Sequence, residues 1–256
     1  MKYAIISDIH GNLAAFKWTL ADARKRGCGK IICLGDLTGY GKRSVECVAL
    51  AIKEVDICLM GNHDSACCGK EEPVELIFNR NYDVDVATRD SLERRQMEWL
   101  RERPYVMQGK GFACTHGEFT RPKEWGYIIN PVDAWLSLRA MNEAVLFVGH
   151  SHVPGILKLS AADAKKAKSM DRKTAIEGLS GLSPVKAMSF VVERGARYVV
   201  NVGSVGLPRM GSKAAYAIYD DKARSVDLIE VNCGRRPPDA LPLTRTVKTG
   251  KLNAEM

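Results

Sequence analysis

Each of the five histidines in this 256-residue chain, His10, His63, His116, His150 and His152, lies within three residues of a glycine. The segments that hold them, SDIHGN, MGNHD, THGE and VGHSH, each follow an apolar run, and so does the LGD segment around Asp36. Carboxylate, amide and imidazole donors gathered in this way suit two divalent cations. Asp8 and His10 are two residues apart, so their side chains leave the same face and converge on one ion if strand geometry persists through them. Asp36 is placed to bridge two cations, because a carboxylate has two oxygens and its charge relieves their repulsion. Asn62 would add a neutral oxygen, His116 and His150 imidazole nitrogens, and His152, alternate to His150, another. Any one of these short patterns is usually structural or accidental. Found in order, each after a strand-like run, they point to a metal-dependent hydrolase.

With these boxes, the chain resembles the calcineurin-like metallophosphoesterase superfamily, and within it the small single-domain prokaryotic phosphoesterases. The resemblance spans about residues 1 to 232. It implies an α/β fold in four layers, a two-sheet β-sandwich flanked by helices. It also implies one cation held by Asp8, His10, Asp36 and His152 and a second held by Asp36, Asn62, His116 and His150. Substrate-side elements depart from the family pattern. The His116 box reads HGEF where HGSP is frequent, and NVGSVGLPRMG carries Leu207 where glutamine is common.

The donor types suit Mn²⁺ first, with Fe, Zn²⁺ or Ni²⁺ as alternatives, whereas Mg²⁺ prefers oxygen ligands. Two cations polarise phosphoryl oxygens and lower the pKa of a bridging water, so a hydroxide between them can attack phosphorus in line. Two divalent charges against Asp8, Asp36 and one hydroxide leave the cluster about one unit positive, which favours an anionic phosphate ester of a small molecule. His63 is not required as a ligand. With Asp64 beside it to fix its tautomer and raise its pKa, it is expected to stabilise phosphoryl charge or protonate the departing oxygen. The bland alternative is a histidine that caps a turn. For substrate contacts the candidates are Asn12, Tyr40, Ser204 and Arg209. Arg209 leads because a guanidinium fork matches phosphate oxygens, although a surface ion pair would also account for it.

Short apolar runs alternating with amphipathic stretches, as in a βαβ series, must position these groups. Strands are expected over residues 2–7, 31–34, 57–60, 105–108, 112–115 and 145–148, and helices over 12–26, 44–54 and 131–141. Asn12 is a plausible N-cap and Gly27 a stop for the first helix. Ser91 to Arg103 reads as one helix ended by Pro104. Beyond His152 the pattern turns to strands, over 153–159, 185–193, 198–202, 214–219 and 226–231. One domain over residues 1–232 results, with a Lys-rich insertion near 160–180 and a basic tail at 233–256, both expected at the surface.

An apolar content of 46% with 27% charged residues is ordinary for a globular protein. Of the net charge of +8, Lys158–Lys173 carries +4 and Cys233–Met256 +3. The rest is near neutral, so a nucleic-acid-tracking groove and a nuclease reading are disfavoured. A non-catalytic interaction scaffold on the same fold is the other alternative, and the full set of donors with His63 argues against it. The eight cysteines contain no CxxC pair, and Cys33, Cys58 and Cys114 fall in apolar runs, so reduced thiols packed as small hydrophobes are expected. Cys67 and Cys68 could approach a metal, but a hard oxygen-and-imidazole site does not need thiolate. The segment MKYAIISDIHGN lacks the apolar stretch of a signal peptide, and no run approaches the ~20 apolar residues of a membrane span. A soluble cytoplasmic protein is the expectation.

Overall fold

Apolar runs of four or five residues become strands, and the amphipathic stretches between them become helices. The computed structural model describes residues 1–70, 82–167, 182–184 and 188–234. The tail beyond 234 and the Lys-rich segment from 168 to 181 lie outside the described residues. The first half runs β1 (Lys2–Ile6), α1 (Leu13–Lys25), β2 (Lys30–Cys33), α2 (Ser44–Glu54), β3 (Ile57–Cys58), α3 (Asn62–Cys68), α4 (Tyr82–Ser91) and α5 (Arg94–Arg101). It continues through β4 (Val106–Gly109), β5 (Phe112–Thr115), α6 (Pro131–Ala140), β6 (Val145–Val148), β7 (Gly155–Leu159) and α7 (Ala161–Ala167). The remaining strands are β8 (Leu182–Pro184), β9 (Ser189–Val191), β10 (Arg197–Asn201), β11 (Ala214–Asp220) and β12 (Ser225–Val231).

Two six-stranded sheets result, ordered β3-β2-β1-β11-β12-β9 and β4-β5-β6-β10-β7-β8. Each contains a parallel block, β1-β2-β3 in one and β5-β6-β10 in the other, extended by antiparallel strands. The two-residue period of a strand sends alternate side chains to opposite layers. Ile5, Ile32, Phe112, Phe147 and Val200 fill the space between the sheets, whereas Ala4, Ile6, Ile31 and Cys33 meet Phe16 and Leu20 of α1 on the outside. Trp135 and Leu138 of α6 cover Leu146, Val148 and Val199 on the far face. Helix, sheet, sheet and helix therefore form the four layers expected.

Local details refine the expectations. Ser91–Arg103 is not one helix: α4 closes at Ser91 and α5 opens at Arg94, because Glu93 takes an extended conformation as N-cap (φ −63, ψ 150). Its backbone N–H is met by Gln96 Oε1 at 3.0 Å. The strand expected over 185–193 is seen as β9 alone, residues 185–187 lying outside the described part. The described start of the Lys-rich segment is helix α7, which exposes Ala162, Lys165 and Lys166 and packs Ala164 against the outer core. All eight cysteines are free thiols. No described helix is long and apolar enough to cross a membrane.

Candidate metal centre

Strands β1, β2, β3, β5 and β6 each lead directly into one of the candidate boxes, at the edge of an α/β sheet where ligands gather. Strand β1 ends at Ile6, so Asp8 and His10 do not converge by strand alternation. Both adopt left-handed backbone, φ 56 and 47, as do Asp36 (56), Tyr40 (53), His150 (65) and His152 (61). A left-handed non-glycine residue costs roughly 1–2 kcal/mol, so strain of several kcal/mol is concentrated here and must be held by its surroundings. Backbone bonds do so, from Asp8 N–H to Gly35 O (3.1 Å), Ile9 N–H to Asp36 O (2.8 Å) and His10 N–H to Asp36 O (2.9 Å). Glycine is needed at 61 and 149 for close approach. A Cβ at Gly61 would collide with the Asp36 carboxylate, and one at Gly149 would stand 2.6 Å from Asp8 Oδ2.

All seven expected donors are buried and brought together. Asp8, His10 and His152 form one cluster and Asp36, His116 and His150 another, each with its donor atoms within 4.8 Å of one another. His10 Nδ1 meets Thr38 O at 2.8 Å, His152 Nδ1 meets Leu207 O at 2.8 Å, and His116 Nδ1 meets Leu34 O at 3.2 Å. A carbonyl only accepts, so each Nδ1 carries the proton and each Nε2 of the neutral ring presents a lone pair. Those lone pairs face other acceptors. His10 Nε2 and His152 Nε2 are 3.1 Å apart, and His116 Nε2 lies 3.1 Å from Asn62 Oδ1 and 3.3 Å from Asp36 Oδ2. Asp8 Oδ1, buried and without a hydrogen-bond partner, is 3.3 Å from His152 Nε2 and 3.7 Å from His10 Nε2. Asp36 Oδ2 lies 3.6 Å from His10 Nε2 as well as near His116, and so stands between the two clusters. Only positive charge, a proton or a cation, reconciles such an array, and Nδ1–H bonds to carbonyls are the usual support of metal-binding imidazoles. The residues fit a pair of divalent cations.

The other oxygen of each acid is fixed by backbone: Asp8 Oδ2 by His150 N–H and Asp36 Oδ1 by His63 N–H, both at 3.0 Å. Burial would raise the Asp36 carboxyl, but His116, His63 and His10 outweigh it and hold it below the usual range. Burial would lower His116, yet the Asp36 carboxylate beside it holds it up at about 9. His150 is pushed down to about 3 by burial and by the charge of His116.

His63 sits in the first turn of α3, among the site residues, but its partner is not the neighbour expected. Adjacent residues of a helix diverge. Asp64 turns away to accept from Thr38 N–H at 3.0 Å and Thr38 Oγ at 3.1 Å. Burial, with the charge of Asp36, pushes its carboxyl up to about 6. The carboxylate that holds His63 Nδ1, at 2.7 Å, is Asp85 of α4, which sequence reading missed. Against the effect of burial, the charge of Asp36 and the bond to Asp85 raise the His63 pKa. Arg89, one turn along α4, donates to Cys67 O at 3.1 Å and also to Ala66 O, so α4 grips α3 at both ends.

Two of the four substrate candidates make hydrogen bonds within the fold. Asn12 caps α1, its Oδ1 accepting from Ala15 N–H at 3.1 Å and its Nδ2 donating to Gly206 O at 3.0 Å. Ser204 is fully buried and donates to Asp8 O at 2.8 Å. Tyr40 and Arg209 do line the open cleft of ≈ 200 Å³ over the centre, with Asp36, His63 and His150. Tyr127, unmarked in the sequence, lies there too. Its ring stacks on His150 at 4.0 Å, and the positive charge of Arg209 lies near its hydroxyl.

Comparison with known proteins gives one consistent result. A family model described as calcineurin-like phosphoesterase superfamily domain matches residues 1–224. An uncharacterized protein of Methanocaldococcus jannaschii is 31% identical over 236 residues, spanning 89% of this chain and 86% of its own length. Among solved structures, a metallophosphoesterase of Sphaerobacter thermophilus is 33% identical, with 91% of this chain and 89% of that chain covered and a TM-score of 0.73. A hypothetical protein of Pyrococcus horikoshii, 19% identical, shares the fold over 91% of this chain and 89% of its own, at a TM-score of 0.65.

Proposed function

The chain belongs to the calcineurin-like phosphoesterase superfamily, and from that membership we propose that it is a bimetallic enzyme hydrolysing phosphomonoesters or phosphodiesters of small molecules. The observation that carries this reading is the set of Nε2 lone pairs turned toward one another and toward Asp8 Oδ1, Asp36 Oδ2 and Asn62 Oδ1. Asp8, His10, Asp36 and His152 hold one cation, and Asp36, Asn62, His116 and His150 the other. Mn²⁺ is the first choice, with Fe, Zn²⁺ or Ni²⁺ as alternatives. Two such ions, when bound, supply Lewis acidity toward the phosphoryl oxygens and an activated water.

The chain's own groups do the rest. Asp85 occupies His63 Nδ1, leaving Nε2 as the nitrogen that can give a proton to the departing ester oxygen. Arg209 on the cleft wall, beside Tyr127, meets a non-bridging phosphate oxygen. A cleft of ≈ 200 Å³ is below the ~300–1,000 Å³ of typical ligand sites and suits a phosphoryl group with one small arm. The test is metal analysis of the purified chain, with hydrolysis of p-nitrophenyl phosphate and its bis ester in Mn²⁺ and in chelator. Manganese uptake with turnover that chelator abolishes, both lost in Asp36→Asn, is expected. A chain that stays empty in excess manganese, or turnover indifferent to chelator, would end this reading.

A further inference from the structure

The candidate centre has an open space on each of two sides. One is the cleft already described. The other is a groove of ≈ 360 Å³ lined by His10, Asn12, Leu13, Ala14, Tyr40, Arg43 and Leu207. Tyr40 belongs to both walls, with its ring edge-on to His10 at 4.7 Å and beside His63 at 4.9 Å. The loop holds Tyr40 in left-handed backbone, φ 53, a strained conformation that persists where the surroundings require it. Leu207 lines this groove too, and its carbonyl supports His152 at 2.8 Å.

A phosphomonoester has one organic arm and fills one space, whereas a phosphodiester has two. Resting on the phosphoesterase reading above, we propose that the groove receives the second arm of a phosphodiester, a planar apolar group such as an aryl ring or a nucleoside. Three observations support this occupant. The groove adjoins the centre through His10 and Tyr40. Its volume falls in the range of small-ligand sites, ~300–1,000 Å³, where the cleft alone does not. Leu13, Ala14, Tyr40 and Leu207 give an apolar and aromatic lining, with Asn12 and Arg43, the latter paired with Glu46 at 2.6 Å, as its polar members.

The arrangement also orders the two arms. His63 lines the cleft and not the groove, so the oxygen it protonates departs through the cleft while the arm in the groove is retained. Water oxygen bonds to phosphorus, the bond to the cleft-side ester oxygen breaks, and that oxygen takes a proton. The products are an alcohol and a phosphomonoester still carrying the groove-side arm.

The experiment compares phenyl p-nitrophenyl phosphate with methyl p-nitrophenyl phosphate on the manganese-loaded full chain. These share a leaving group and differ only in the retained arm. The phenyl ester should lead in kcat/KM by about tenfold or more, a gain within what one apolar pocket supplies. Ala14→Trp, an exposed position of α1 that would fill the groove, should collapse the ratio of the two values toward one. A ratio near one in the wild type, or one that Ala14→Trp leaves unchanged while methyl ester turnover persists, would overturn the groove assignment alone. Loss of turnover on every ester, p-nitrophenyl phosphate included, would overturn the phosphoesterase reading instead.

Discussion

Asp85 decides how His63 can act, because a buried carboxylate 2.7 Å from Nδ1 fixes both the tautomer and the ring angle. His63→Asn should therefore keep both cations and lower kcat by about 10²–10⁴-fold. Asp85→Asn should lower kcat by about 10–100-fold, and the double variant should be no slower than His63→Asn alone, since the two act as one unit. Additive losses in steady-state kinetics would make Asp85 merely structural. His116 gives a pH dependence. Its pKa is raised to about 9 in the folded protein, above the unfolded ~6.5, so the stability that its proton adds is complete below ~6.5 and is lost as pH rises through about 9. A cation needs the same lone pair. Metal affinity should therefore climb by up to about tenfold per pH unit from 7 to 9, with proton release seen by calorimetry in two buffers. Affinity flat over that range would contradict the assignment of His116. The seven donors were legible because each carries a local signature, an apolar run and a glycine. Asp85 was not, for it lies 22 residues from His63 in a polar helix whose acids all look alike in sequence. The bonds that Asn12 and Ser204 make within the fold were not legible either, because the residue types that contact phosphate also cap helices and brace loops.

Loops rather than strands aim the donors. The strands at 2–6, 112–115 and 145–148 were readable as apolar runs, and α2 matches its expected bounds of 44–54. The left-handed turns that follow them were not, since nothing in Ser-Asp-Ile-His or Gly-His-Ser-His states a backbone dihedral. Nor was the break at Glu93, where a side-chain cap outweighs a good helical pattern. The turn after β6 offers the clearest probe. Gly149→Ala would press a methyl onto Ser7 and Asp8 Oδ2, displacing the acceptor of the His150 N–H. We expect the fold to lose about 1–3 kcal/mol, as overpacked sites do, and the cluster around Asp8 to lose its cation while that around His116 keeps one. Full metal content with an unchanged melting temperature would show that this glycine is dispensable.

The two sheets meet at the centre, Asp8, Asp36 and Asn62 coming from one and His116, His150 and His152 from the other. Cations bound there would join the sheets, and binding to the folded state alone would add about 4 kcal/mol at a thousandfold excess over Kd. At about 2–4 °C per kcal/mol for a chain of this size, manganese should raise the melting temperature by roughly 8–16 °C over the chelated protein. Equal melting curves would mean that the ions do not bridge the sheets. All seven donors precede residue 153, yet β10 and β11, which begin at 197 and 214, lie in the interior of the two sheets. Ser204 Oγ and Gly206 N–H grip Asp8 O, and Val205 N–H grips Ser7 O. On the ribosome, then, every ligand side chain emerges well before the framework that gathers them. A nascent chain would carry the whole binding vocabulary before the scaffold that aims it, and would be able to capture metal only once β10 sits between β6 and β7 and β11 beside β1.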